Sequence, residues 1–62
     1  MVFFLQPRNE GQELNYIETF RGSQLNARRR AKVMRDALQK DLPQANISVS
    51  ILDKKGEHIT EY

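Results

Sequence analysis

The 62-residue chain contains no cysteine and no tryptophan. Neither a disulfide nor a thiolate metal site can staple the fold. There is a single histidine, His58, with no carboxylates at convincing ligand spacing around it, so a histidine-based metal site is not expected. No apolar run approaches the roughly 20 residues of a membrane span. The apolar start Met1–Leu5 is too short for a signal h-region and lacks a basic n-region. Asn46-Ile47-Ser48 matches a glycosylation sequon, which carries no meaning without secretion. These absences lead to the expectation of a cytoplasmic protein. No nucleophile–base pair or pair of carboxylates is readable either, so neither an enzyme nor a cofactor is expected.

A chain this short buries only about 60% of its unfolded surface and needs good packing or oligomerisation. The sequence predicts one small domain over 1–62, made of a hairpin at 2–20, a helix at 23–41 and a hairpin at 46–62. The helix is the clearest part. From Gln24 to Leu42 there is no glycine or proline. Ser23 stands where an N-cap should, because its hydroxyl can accept from a free N–H of the first turn. Pro43 pushes Leu42 out of the α region, so the helix should end near Lys40 or Asp41. At about 100° per residue, Ala27, Ala31, Met34, Leu38 and Leu42 form one apolar stripe, and its alanines suit close approach to a sheet. Leu25 and Val33 fall outside it.

Strand composition marks Val2–Gln6 and Glu13–Phe20, with Pro7–Gln12 as a polar loop between them. If Phe3 opposes Tyr16, then Phe3, Leu5, Leu14, Tyr16 and Phe20 make one apolar face toward the helix. Val2, Phe4 and Ile17 are then left on the opposite face, with Leu52 and Tyr62 as candidates to join them. Asn46–Ile51 alternates strictly, with Ile47, Val49 and Ile51 inward. A three-residue loop of Lys54, Lys55 and Gly56 would place Ile51 opposite Ile59, Ser50 opposite Thr60 and Ser48 opposite Tyr62. The expected fold is α+β: a four-stranded sheet of two hairpins, β-β-α-β-β, with one helix across one face. In element order and size it resembles the bacterial immunoglobulin-binding domains, a likeness that implies no function.

Charge is distributed unevenly. The net charge is only +2, yet residues 21–40 hold seven basic side chains and one acid, Asp36, while the rest holds three basic and seven acidic ones. Such segregation creates a local field that the net charge hides. Asp36 is placed to pair with Lys32 and Lys40 at helical spacing. Basic residues along one helix are the footprint of phosphate binding. The main expectation is therefore a non-enzymatic module that binds the nucleic-acid backbone through Arg28, Arg29, Lys32 and Arg35. No helix-turn-helix pair, aromatic RNA-binding strand motif or zinc finger accompanies them. Tyr16 and Tyr62 could stack on bases, though Tyr16 reads better as core. The alternative is a regulator or inhibitor that binds a protein through the apolar sheet face, or an acidic partner through the basic helix. The face formed by Val2, Phe4 and Ile17 also suggests a homodimer. His58 reads as a surface strand residue.

Overall fold

The computed structural model describes all residues, Met1–Tyr62. Five strands and one helix follow in the order β1 (Val2–Asn9), β2 (Gln12–Glu13), β3 (Glu18–Arg21), α1 (Gln24–Asp41), β4 (Ile47–Asp53) and β5 (His58–Glu61). The fold is α+β, with the helix packed against one face of an antiparallel sheet. It has one strand more than expected, because the second predicted strand is split into β2 and β3.

β1 lies at the centre. Its Val2–Leu5 segment pairs with β3, its Arg8–Asn9 end pairs with β2, and its other edge pairs with β4 from Phe3↔Asp53 to Asn9↔Ile47. β3 and β4 both run antiparallel to β1, so they are parallel to each other, and α1 makes the crossover between them. A crossover of this kind lays the helix over β1 and β4. Phe3, Leu5, Ala27, Ala31, Met34, Val49 and Ile51 form the buried core there, with Phe20, Leu38, Ile59 and Tyr62 packed at its margin. Ala27 and Ala31 are fully buried. Their small side chains let the helix backbone approach the sheet.

The helix reads as the sequence predicts. Ser23 Oγ accepts from the Asn26 N–H at 3.1 Å, and Leu42 caps the other end by donating its N–H to the Leu38 carbonyl. Leu25 and Val33 are exposed. Two stripe residues depart from expectation: Leu38 is half-buried, and Leu42 is exposed because the helix ends at Asp41 and the non-helical backbone of Leu42 takes it off the stripe. Gln39 does what Leu42 does not. Its amide nitrogen donates to the Leu42 and Ala45 carbonyls, and its Oε1 accepts from the Ile47 N–H at 3.0 Å, which ties the helix end to the start of β4.

Gly22 leads into the helix at φ +151, and a Cβ there would meet the Phe20 ring at 3.0 Å. Glycine is required for both reasons.

The first hairpin differs most from the sequence reading. Pro7–Gln12 is not a loop. β1 continues through Pro7 to Asn9, and only Glu10 and Gly11 turn, both with positive φ. Positive φ at two central residues is the conformation that tight two-residue hairpins require. Pro7 itself is fully buried in mid-strand, where the absent N–H should cost a ladder bond. The register explains why it is tolerated. Val49, opposite Pro7, exchanges both of its backbone bonds with Tyr62 and so turns away from β1. Pro7 therefore faces Leu14, whose N–H donates to the Pro7 carbonyl at 3.0 Å. The reciprocal bond is missing because proline has no N–H. Gln6 replaces it: its amide nitrogen donates to the Leu14 carbonyl at 2.9 Å and the Tyr16 carbonyl at 2.8 Å. Ladder pairing stops from Leu14 to Ile17, which separates β2 from β3.

That break overturns the expected register. Phe3 opposes Phe20, not Tyr16. Tyr16 is 52% exposed and lies outside the core.

In the second hairpin the three-residue loop is present, closed by Asp53, whose Oδ1 accepts from the Lys55 and Glu57 N–H groups. The expected pairs beyond it are shifted by one. Leu52 opposes His58, but Ile51 opposes Thr60 and Ser50 opposes Glu61, because a bulge places one extra residue in β5. Tyr62 consequently bonds to Val49 and packs on the helix side, not on the opposite face.

Candidate nucleic-acid interface

The four basic residues singled out from the sequence all lie on α1. Helical spacing puts Arg28, Lys32 and Arg35 in one row, at positions i, i+4 and i+7, and Arg29 in the next row outward. Lys32 locates the first row in the fold: its Nζ lies 5.1 Å above the centroid of the Tyr62 ring. The row therefore overlooks the β5 side of the sheet. Tyr62 reaches this position through the one-residue shift of the bulge, which is why the cation–ring contact was not legible in the sequence.

The four are not equivalent. Arg28, Arg29 and Lys32 are exposed and form no ion pair. Arg35 is half-buried and holds Asp36, with Nε and a terminal nitrogen at 3.1 and 2.7 Å from Oδ1. Asp36 was expected to pair with Lys32 and Lys40. The adjacent arginine, with its planar fork, reaches the carboxylate instead. Lys40, too, has no acidic partner.

The other arginines with carboxylate partners do structural work. Arg30 spans from the helix to β3 and grips Glu18 with two bonds of 2.7 Å. Hydrogen bonding to Arg30 holds the Glu18 carboxyl below the usual carboxylate range, against a smaller opposing effect of partial burial. The same bond makes the Arg30 guanidinium hold its proton more firmly. A depressed folded pKa contributes stability that is present above the unfolded value and lost as pH falls through the folded one. Glu18→Gln should therefore flatten the loss of stability below about pH 4.3, the ordinary glutamate value. Both partners are partly exposed, so the contribution is at most about 1 kcal/mol. Melting temperatures from pH 2 to pH 7 check this. An acid limb that is the same in Glu18→Gln as in the parent would contradict the assignment.

The sheet face away from the helix carries Val2, Phe4, Gln6 and Arg8 from β1, facing Leu52, Ser50 and Ser48 on β4. Val2 and Phe4 are half-buried, and Ile17, just before β3, is 51% exposed. The face is more polar than expected. Arg8 Nε donates to Ser50 Oγ at 2.9 Å, and that hydroxyl donates to Glu61 Oε1 at 3.3 Å. His58 Nε2 lies 3.6 Å from the same carboxylate oxygen. Ser50 is fully buried beneath these longer side chains. The Ser48 hydroxyl, then that of Ser50, and the charges of Arg8 and His58 hold the Glu61 carboxyl below its ordinary range, again opposed by partial burial. The apolar part reduces to Val2, Phe4 and Leu52 at one end of the face.

No family model, no curated protein and no solved structure matches the chain. No helix is long and apolar enough to cross a membrane.

Proposed function

We propose that the protein is a non-enzymatic module that binds the phosphate backbone of nucleic acid through the outward side of α1. The observation that carries this reading is the division of labour among the cations. Arg8, Arg30 and Arg35 are engaged by neighbouring acceptors, whereas Arg28, Arg29 and Lys32 stand exposed on one helix with no carboxylate to neutralise them. Helix stability does not account for them, because cations in the N-terminal half oppose the helix dipole. Contacts of this kind to phosphate carry no sequence information, so the reading is of sequence-independent binding.

Three free cations correspond to a salt slope of about −2.7 on duplex, so affinity should drop about 40-fold between about 50 and 200 mM salt. Arg28→Gln with Arg29→Gln should flatten the slope by about two and weaken all sequences alike. Arg35→Gln should do much less, because Asp36 already holds that side chain. Fluorescence anisotropy with labelled duplex and single-stranded oligonucleotides measures all three proteins. Absence of binding at about 50 mM salt, or unchanged binding by the double variant, would exclude the phosphate reading.

A further inference from the structure

Two exposed apolar residues meet away from the open sheet face. Tyr16, at 52% exposure, and Val33, at 58%, lie together on the β3 flank of the helix, away from the Lys32–Tyr62 side. With Arg30, Met34, Ala37 and Leu38 they line a groove of about 230 Å³ whose surface is almost wholly apolar. The break in the ladder from Leu14 to Ile17 creates it, because the segment leaves the sheet there and stands off from the helix. Its walls are held in place before anything binds. The Tyr16 and Leu14 carbonyls are anchored by Gln6, and the Tyr16 hydroxyl contacts Glu18 Oε1 at 3.4 Å, the carboxylate that Arg30 clamps.

The size of the groove limits what it takes. Small-molecule and cofactor sites begin at about 300 Å³. A smaller, apolar, preformed pocket suits one large apolar side chain, the usual form of an anchor at a protein interface. Charge limits it further. Arg29 lies one helical turn before Val33 and Lys40 about one turn after Ala37, so an unpaired cation stands at each end of the groove, about 16 Å apart along the axis. The only carboxylate between them on α1, Asp36, is held by Arg35 on the opposite flank. Asp41, also one turn after Ala37, forms no ion pair with Lys40 and lines a separate recess with Asn9, Leu42 and Pro43.

We infer that this groove binds a protein segment that inserts one large apolar side chain between Tyr16 and Val33 and sets acidic residues against Arg29 and Lys40. The site is separate from the Arg28–Lys32 row, and only Arg29 borders both.

The probe is a synthetic helical peptide of glutamate and alanine with two leucines four residues apart, titrated into 15N-labelled protein. Saturable amide shifts should centre on Tyr16, Val33, Ala37 and Leu38. Replacing the leucines by alanine, or the glutamates by glutamine, should each weaken binding about tenfold. Val33→Asp, at an exposed position, should weaken it at least about tenfold, and Lys40→Glu by several-fold. If Val33→Asp fails to fold, Ala37→Glu replaces it. No saturable shift up to about 1 mM peptide, shifts centred on the far sheet face or the Arg28 row, or unchanged binding by the groove variant would each overturn the inference. So would an oligonucleotide that shifts the groove residues in place of the peptide.

Discussion

Phe3→Ala should remove a third or more of the stability of the domain. Phe3 is 2% exposed and packs with Leu5, Ile51 and the helix alanines in a core of only seven buried residues. Removing a buried phenylalanine side chain typically costs about 3–5 kcal/mol, the lost transfer energy plus the cavity. A chain of this length has a total stability of about 3–9 kcal/mol by the usual per-residue range. The substitution therefore removes a third or more of the total, and no second core exists to hold the rest. Leu38→Ala should cost less than the about 2–5 kcal/mol of a buried leucine, because Leu38 is half-buried at the margin. Urea titrations followed by circular dichroism compare the two. A Phe3→Ala midpoint within error of the parent, or a larger loss for Leu38→Ala, would show that the core is centred elsewhere.

The second large effect tests the Gln6–Pro7 pair. Gln6→Leu keeps a side chain of similar size but strips the donor from two partly buried carbonyls, those of Leu14 and Tyr16. An unsatisfied buried group costs about 1–3 kcal/mol, so a loss of about 2–4 kcal/mol is expected after allowing for solvent reaching one of them. Amide exchange should accelerate in residues 14–17 before the rest of the sheet. Pro7→Val in the Gln6→Leu background should then restore part of the loss. Valine brings the N–H that proline lacks, at the position facing Leu14, and suits a strand. A double variant no more stable than Gln6→Leu alone would mean that Gln6 does not stand in for the missing backbone donor.

That pair also explains why the first hairpin departs from its sequence pattern. Proline and glycine within six residues look like a loop, which is what Pro7–Gln12 suggests. Proline is barred from a central strand only where its nitrogen must donate. Here that nitrogen faces Leu14, and a side chain one residue earlier supplies the donor. No local pattern records which way a backbone nitrogen points. The consequence extends along the strand: with the ladder broken, Phe3 meets Phe20, and Tyr16 lies on the wall of an exposed groove instead of in the expected core.

The basic residues were legible as a cluster because helical spacing is regular. Their state of pairing was not. Asp36 had three cations within reach by sequence spacing, and it took the adjacent Arg35. Arg30 looked no different from Arg28 and Arg29, yet Glu18, twelve residues earlier, holds it. Spacing ranks neighbours along one element and carries no information about a carboxylate presented by another.

Legible along the chain itself were the helix with its Ser23 cap, the alternation of β4, the loop at Lys54–Gly56 and the inward placing of Phe3, Leu5, Ala27, Ala31, Met34, Val49 and Ile51, though Tyr16 and Leu42 were placed inward with them and are exposed. Each of these depends on interactions within about four residues or on a period of 2 or 3.6, which the chain displays directly. Contacts between distant segments set the rest: β1 sits between β3 and β4, a bulge brings Tyr62 under Lys32, Arg30 is spent on Glu18, and a groove opens beside Tyr16. These depend on register. A shift of one residue turns every following side chain to the other face of a sheet, and register is set by partners distant in the chain.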